Sequence, residues 1–215
     1  MSRSLDAVAD QREVLMSWAE TDSARSRRPY HVGNLRAQLL DEARALLESG
    51  GRSELNLRGL AARAGIAAGS VYHHYASKAA LMAGLAAVGF RDLEAILKEA
   101  AATAPDDTPI RTCALAYFDF ARSQPALYDL MFDSVMMADR EVIAARESAF
   151  AVLETAIGEA RSQQHRDADT VHKVALAVWA CGHGAASLTL ADSVAADSTL
   201  MEDVIQGLEA LFGRR

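Results

Sequence analysis

The sequence contains little cysteine and little proline, and each shortage excludes a class of protein. Its 215 residues include two cysteines, Cys113 and Cys181, which are too few and too far apart for a disulfide framework or a zinc-binding motif. We expect both to be small buried apolar residues. Only four prolines interrupt the chain, and Ala, Leu, Arg and Glu are frequent while β-branched runs are scarce. An all-α fold of about nine helices is therefore predicted.

Long uncharged runs and catalytic motifs are also missing. No stretch approaches the ~20 apolar residues that cross a bilayer, and the acidic N-terminal segment does not resemble a signal peptide. A bacterial-type cytoplasmic location is therefore expected. The chain lacks a Gly-rich phosphate loop, a nucleophile elbow and a helical cluster of Cys, His and carboxylate residues. Accordingly, we predict no enzyme, no metal site and no bound cofactor.

The net charge of −7 conceals an uneven distribution along the chain. Residues 24–78 hold nine Arg or Lys against four Asp or Glu, a local charge of +5, which leaves −12 for the remainder. This separation is typical of a nucleic-acid-binding region joined to a region that stays off the nucleic acid. A charged surface exposed only to solvent is the alternative.

The first 30 residues are polar and end in a basic cluster, Arg25, Arg27 and Arg28. We predict a flexible N-terminal arm over residues 1–30, placed to reach a phosphate or the minor groove of DNA. A tail that only increases solubility is the alternative.

Two short helices joined by a glycine are predicted between Asn56 and Tyr75. They follow a helix over about residues 34–48, which Gly50 and Gly51 end. Asn56 is placed to cap the first short helix, and Gly65 supplies the left-handed residue of the turn. The second begins near Ala68 and directs Val71 and Tyr75 toward the core. This arrangement is a helix-turn-helix.

The same stretch resembles the DNA-binding domain of the TetR family of transcriptional regulators. Residues 57–65 match a Leu-Arg-x-Leu-Ala-x-x-Ala-Gly helix, and the family's later positions are matched by Tyr72, His74, Tyr75, Ser77 and Lys78. The resemblance covers roughly residues 33–90. It implies a homodimer that binds double-stranded DNA at a palindromic operator. Because the family more often represses than activates, it also implies a repressor that a small-molecule effector releases from the operator. A constitutive or architectural DNA-binding protein without an effector is the alternative.

The resemblance also implies which residues of a domain spanning 31–78 meet DNA. Arg58 and Lys78 are assigned to phosphates, and the recognition helix is expected to present Ala68, Gly69, Ser70, Tyr72, His73 and His74. Packing inside the protein is the alternative for Tyr72 and His74. The family's usual capping residue is replaced by Ala67, so the first turn is bare. We expect recognition to depend on close backbone approach, methyl contacts and DNA shape as well as on hydrogen bonds.

Residues 79–215 are predicted to form a helical domain for effector binding and dimerisation. Ser77 can cap a long fourth helix, a linker falls near residues 103–107, and Pro109 and Pro125 suit helix starts. Helical segments are predicted near 109–122, 125–132, 139–161, 169–191 and 198–212.

This half resembles a C-terminal domain class of TetR regulators named for a Trp-His-Gly signature. Trp179 precedes His183 and Gly184 by a short spacer, and Ala116-Tyr117-Phe118 and residues 125–132 add to the resemblance. Large apolar residues with a few polar tips are candidates for an effector pocket, although such residues can also be plain core. They are Tyr117, Phe118, Tyr128, Met131, Phe132, Met136, Trp179 and His183.

An apolar stripe on the segment near 169–191 is predicted to form a dimer interface with the last helix. A core within one subunit is the alternative. The stripe comprises Val171, Ala175, Val178, Trp179, Gly182, Ala186 and Leu190, and the last helix adds Val204, Leu208 and Leu211.

Overall fold

Helices make up every regular element in the part of the chain that the computed structural model describes, residues 35–105, 108–160, 167–190 and 199–212. The all-α prediction is therefore confirmed for these ranges. The N-terminal arm with Arg25, Arg27 and Arg28 lies outside them. The helices are α1 Leu35–Glu54, α2 Leu57–Ala64, α3 Ala68–His74, α4 Lys78–Thr103, α5 Pro109–Ser123, α6 Pro125–Met131, α7 Arg140–Glu159, α8 Ala168–Leu190 and α9 Thr199–Phe212, with a 3₁₀ turn at Met136–Ala138.

Local signals define the helices of the N-terminal region, residues 35–78. The backbone of α1 leaves helical geometry at Gly51, with φ 72° and ψ −173°, where the prediction ended the helix. The structure differs in that the chain becomes helical again up to Glu54. The Asn56 side chain caps α2 by accepting a hydrogen bond from the Gly59 N–H at 2.6 Å. Gly65 ends α2 in the left-handed conformation, with φ 67°.

The core of the N-terminal region continues into α4. Val71 and Tyr75 are buried, as predicted, together with Leu39 and Leu60. A Cβ at Gly84 would lie 3.1 Å from the Tyr75 ring, so a glycine there permits close approach of α4. Ser77 caps α4 by accepting from the Ala80 N–H at 3.1 Å. These contacts attach α4 firmly to the helix-turn-helix.

The C-terminal region, the described residues from 79 to 212, is arranged around α4. Helix α4 packs against α5, α6 and α7, while α8 packs against α5, α7 and α9. Pro109 and Pro125 occupy the first turns of α5 and α6, where their missing N–H groups cost nothing. None of the helices in the described ranges is both long and apolar enough to cross a membrane.

The inner face of α8 belongs to the core of the subunit. Four residues of the predicted dimer stripe, Ala175, Val178, Gly182 and Ala186, are buried against neighbouring helices of the same chain. For these residues the alternative, a core within one subunit, is the one observed. The side chains of Leu208 and Leu211 lie outside the described part of the structure.

The two cysteines differ in exposure. Cys113 is buried, as predicted, but the prediction for Cys181 is wrong because that residue is exposed. The buried positions of α8 centre on Val178 and Gly182, and Cys181 lies just outside the arc that they define.

Candidate functional site

The recognition helix α3 is anchored on one side and open on the other. Val71 and Tyr75 are buried, whereas Tyr72, His73 and His74 are exposed, Tyr72 to 46%. The expectation that Tyr72 and His74 lie at the surface rather than in the core is thus met. The rings of His73 and His74 contact each other edge to face at 5.5 Å.

The first turn of α3 is as bare as its sequence indicates. Ala67 precedes the helix in extended conformation and makes no side-chain capping bond. Ala68 and Ser70 are half-buried, while Gly69 is exposed. A Cβ built on Gly69 would meet no atom within 4 Å, so packing does not require glycine there. A glycine inside a helix lowers stability, and no packing contact among the described residues offsets that loss at Gly69.

Arg58, Tyr72 and Lys78 meet at one surface notch of about 280 Å³, which we call the basic notch. It is completed by Asn56, Leu57 and Ser77. Arg58 is exposed and forms no ion pair within the described residues. Lys78 is also exposed, but its Nζ donates to the carbonyl oxygen of Arg52 at 2.5 Å. Two cations and a phenol around one notch suit an anionic oxygen such as a DNA phosphate.

The other cations of the described N-terminal region are already paired, which corrects the interpretation of the charge distribution. Three of these four arginines bind carboxylates of the C-terminal region. Three of the nine basic residues counted between 24 and 78 therefore contact the C-terminal region rather than facing a partner. The pairs are Arg36 with Glu141 at 3.3 Å, Arg44 with Asp92, Arg52 with Asp129 at 2.7 Å and Asp133 at 2.5 Å, and Arg63 with Glu42 at 3.2 Å.

A second candidate site lies inside the C-terminal region, where Tyr117, Tyr128, Phe132, Trp179 and His183 form what we call the aromatic cluster. The hydroxyls of Tyr117 and Tyr128 are 2.9 Å apart, and the Tyr128 hydroxyl lies 2.7 Å from Nδ1 of His183. Ring centroids of Phe132 and His183 are 4.1 Å apart, and those of Tyr117 and Trp179 are 5.4 Å apart. Helices α5, α6 and α8, with Phe132 just beyond the end of α6, thus bring together five of the eight predicted effector residues.

The other three predicted effector residues are buried elsewhere. Phe118 lies beside the Arg122 guanidinium, 5.8 Å from the ring centroid. Met131 packs where α6 crosses Gly89 of α4. Met136 is buried in the 3₁₀ turn. None of the three lines a described cavity next to the cluster.

Burial keeps the polar groups of the aromatic cluster uncharged. It raises the pKa of Tyr117 well above its usual value and raises the pKa of Tyr128 to about 12, although a hydrogen bond from Tyr117 opposes part of the second shift. Burial lowers the pKa of His183. Near neutral pH the imidazole is therefore neutral, and its Nδ1 can accept the Tyr128 hydroxyl proton in a hydrogen bond.

Two cavities border the aromatic cluster, and Trp179 lines both of them. The inner cavity of about 20 Å³ has room for a single water-sized sphere. The sequence predicts only some of the residues that line this cavity, because small residues such as Gly182 open it and no spacing rule identifies them. The inner cavity is lined by Leu97, Cys113, Ala114, Tyr117, Leu153, Val178, Trp179, Gly182 and Val204. The outer groove of about 420 Å³ lies between α7 and α8 and is lined by Arg146, Glu147, Phe150, Glu154, His172, Leu176 and Trp179.

The sequence matches two family models. Residues 39–85 match the model described as bacterial regulatory proteins, tetR family, and residues 110–211 match the tetracyclin repressor-like C-terminal domain. Together the two matches cover more than half of the chain. No curated protein sequence matches it.

Solved structures share the fold over most of their length. A protein of unknown function from Rhodococcus sp. RHA1 is 28% identical, with a TM-score of 0.73 over 87% of this chain and 98% of the other. A TetR-family transcriptional regulator from Streptomyces coelicolor is 22% identical, with a TM-score of 0.61 over 83% and 98%. A TetR variant from Acinetobacter baumannii AYE in complex with minocycline is 19% identical, with a TM-score of 0.54 over 82% and 93%.

Proposed function

The chain belongs to the TetR family of DNA-binding transcriptional regulators, and we propose that it is a homodimeric repressor that a small apolar effector releases from a palindromic operator. The observation that carries this proposal is the open face of α3 beside the basic notch. We place the protein in the cytoplasm, where it has access to chromosomal DNA.

In this proposal, α3 enters the major groove. The bare turn at Ala68 and Gly69 approaches the base edges closely, while Ser70, Tyr72, His73 and His74 supply hydrogen bonds and ring contacts. Arg58 and Lys78 contact phosphates that flank the groove. Two subunits place their recognition helices about 34–36 Å apart, one turn of the duplex.

The outward face of α8 is the proposed dimer contact. Its residues are exposed or half-buried in the single chain: Ala177, Ala180, Cys181, Gly184 and Leu188. Small side chains permit two helices to approach closely, and a two-fold axis would bring the same face of each subunit together. This proposal keeps the last two helices as the interface but replaces the inner stripe of α8 by its outer face.

The aromatic cluster is the proposed effector site. Small-molecule pockets usually enclose about 300–1,000 Å³, so the inner cavity must enlarge before an effector fits. Movement of the Trp179 side chain would join it to the outer groove. The minocycline complex of the Acinetobacter protein supports an effector site within this fold.

Selection of random duplexes with the purified protein, followed by sequencing of the retained DNA, tests the proposal. We expect a palindrome to be enriched. Arg58→Ala and Lys78→Ala should then weaken binding to it and lower the salt dependence, by a slope of about 0.9 for each phosphate that is no longer neutralised. Lys98→Ala is the matched control, because Lys98 is also an exposed cation of α4 but lies away from the basic notch.

Enrichment of no sequence would contradict the DNA-binding proposal. Unchanged affinity and salt slope in both variants would reject the phosphate assignments alone.

A constitutive DNA-binding protein without an effector is the second candidate, and the small inner cavity favours it. A screen for compounds that release the selected duplex separates the two functions. Release by a compound that also raises the thermal stability of the DNA-free protein supports the effector-responsive regulator. If no compound of a broad apolar library does either, the constitutive function is supported.

A further inference from the structure

Helix α6 is fastened to α1 at both of its ends. At its N-terminal end, the Glu48 carboxylate of α1 accepts from the backbone N–H groups of Leu127 at 2.8 Å and Ala126 at 3.4 Å. Gln124, the residue in the capping position of α6, makes no side-chain capping bond. A carboxylate at a helix N-terminus is also favoured by the helix dipole. The cap of α6 is therefore supplied by the N-terminal region.

The C-terminal end of α6 is held by Arg52. Its guanidinium donates to Asp133 at 2.5 Å, to the Asp129 carboxylate at 2.7 Å and to the Asp129 carbonyl at 3.0 Å. Asp133 also accepts from the Val135 N–H at 2.8 Å, and these bonds, led by the one from Arg52, lower its pKa. Side chains of Arg52 and Asp133 are only 33% and 24% exposed, so their geometry is more constrained than that of an open surface pair.

Arg52 occupies a point where the two regions meet. It follows Gly51, where the backbone of α1 leaves helical geometry, and its carbonyl oxygen accepts from Lys78 of the basic notch. One residue thus contacts α6 through its side chain and the DNA-facing start of α4 through its backbone.

The inner side of α6, next to the side that Arg52 holds, belongs to the aromatic cluster. Tyr128 bonds to Tyr117 and His183, and Phe132 just beyond the helix packs on His183. Met131 leaves no room at Gly89, where a Cβ would lie 2.6 Å from its sulfur. Because α6 has only seven residues, a displacement of its inner side also moves its outer side.

We propose that Arg52 is a positioning residue that couples the aromatic cluster to the DNA-binding surface through α6, with Glu48 as its second attachment. A ligand that displaces Tyr128 or Phe132 then moves the carboxylates that Arg52 binds. The positions of Lys78 and of the end of α1 change with Arg52. This inference rests on the proposed function, but it names a route through α1 in addition to α4.

A double-mutant cycle on the full-length protein tests the coupling, with the dissociation constant for the selected duplex as the measurement. Tyr128→Phe removes a hydroxyl from the cluster and should change the affinity at least about 5-fold, the lower end of typical allosteric coupling. In the Arg52→Gln background the same change should shrink to less than about 2-fold. Arg52→Lys keeps the charge but removes the fork of donors, so it should retain an intermediate coupling.

Arg63→Gln is the matched control, because Arg63 also pairs with a carboxylate but lies within the N-terminal region. In that background the effect of Tyr128→Phe should persist in full. Urea unfolding of each variant measures stability separately, since a merely structural Arg52 would lower stability while leaving the affinity effects additive. His183→Gln replaces Tyr128→Phe if the latter does not fold.

The outcomes separate this inference from the proposed function. A wild-type protein that selects no duplex overturns the proposed function and this inference with it. Sequence-specific binding overturns the coupling alone in either of two cases: the cluster substitutions leave the affinity unchanged, or their effects add to that of Arg52→Gln.

Discussion

Tyrosine and histidine carry the candidate functions of both regions, but the N-terminal region exposes these side chains, whereas the C-terminal region buries its two tyrosines and half-buries its histidine. Tyr72 and His74 lie on the open face of α3, whereas Tyr117, Tyr128 and His183 are hydrogen-bonded inside the subunit. An exposed polar group bonds to water until a partner replaces it, whereas a buried group already has its partner. Under the proposed function, DNA therefore docks without rearranging α3, while an effector has to rearrange the cluster.

The largest expected effect concerns the outward face of α8, which is a part of the C-terminal region that is exposed like the open face of α3. Gly184→Arg places a long charged side chain on that face, and a Cβ built at this position meets no atom within 4 Å in the described part of the single chain. We expect a monomer in sedimentation experiments and a loss of operator affinity of about 100-fold or more, because two linked contacts become one. Ala102→Arg, at an exposed position in the last turn of α4, is the control. A dimer that survives Gly184→Arg would move the interface elsewhere.

Matched substitutions of tyrosine by phenylalanine sharpen the contrast between buried and exposed hydroxyls. Tyr128→Phe leaves the Tyr117 hydroxyl and the His183 nitrogen without their shared partner, so the free energy of unfolding should fall by about 1–3 kcal/mol. Tyr72→Phe should change it by less than about 0.5 kcal/mol while weakening DNA binding. Urea titration and duplex binding measure the two effects. Equal stability losses in both variants would remove the distinction between the regions.

Substitutions at two glycines test whether Gly69 of α3 lacks a side chain because DNA binding requires it and not because folding does. Gly69→Ala fills open space on a helix, so it should raise the free energy of unfolding by about 0.5–1 kcal/mol and lower operator affinity. Gly89→Ala in the C-terminal region should instead destabilise the protein, because the new Cβ meets the Met131 sulfur. A Gly69→Ala variant that gains stability and keeps its full affinity would argue against close backbone approach to DNA.

The smallest expected effect is a pH dependence that arises from the half-buried His183. Burial lowers the pKa of His183 from its ordinary 6.5, so the unfolded chain binds a proton more readily than the native one. The free energy of unfolding should fall as pH decreases below about 6.5, then level off below the native pKa of His183. Burial raises the pKa of both cluster tyrosines, so they stay neutral in this window. Urea titrations of wild type and His183→Gln check this, and identical pH profiles would contradict it.

The N-terminal region can be predicted from sequence because its signals are local. Asn56 caps an N–H three residues away, Ser77 does the same for α4, and Gly65 alone supplies the left-handed turn. The side of α3 that Val71 and Tyr75 bury then determines the side that remains open. Each of these inferences needs only a few consecutive residues and the geometry of one helix.

The C-terminal region is less predictable because its contacts are not local. An apolar stripe on α8 indicates which face avoids water, but it does not say whether the same chain or a second copy covers it. Residue type alone predicts the aromatic residues of the cluster as candidates, but it does not say which of them pack together. Phe118 is buried beside Arg122 and not in the cluster, although its neighbour in sequence, Tyr117, belongs to the cluster. Arg52 and Asp129 are 77 positions apart, and no spacing rule connects them.

Trp179 stands between the inner cavity and the outer groove, which makes it an optical sensor at the point where an effector would enter. Of the two tryptophans in the sequence, the other is Trp18, so Trp18→Phe isolates its emission. Water reaching the indole as the wall opens would shift that emission to longer wavelength, and an apolar molecule filling the space would shift it back. The protein thus carries its own reporter for ligand screening, with no dye attached.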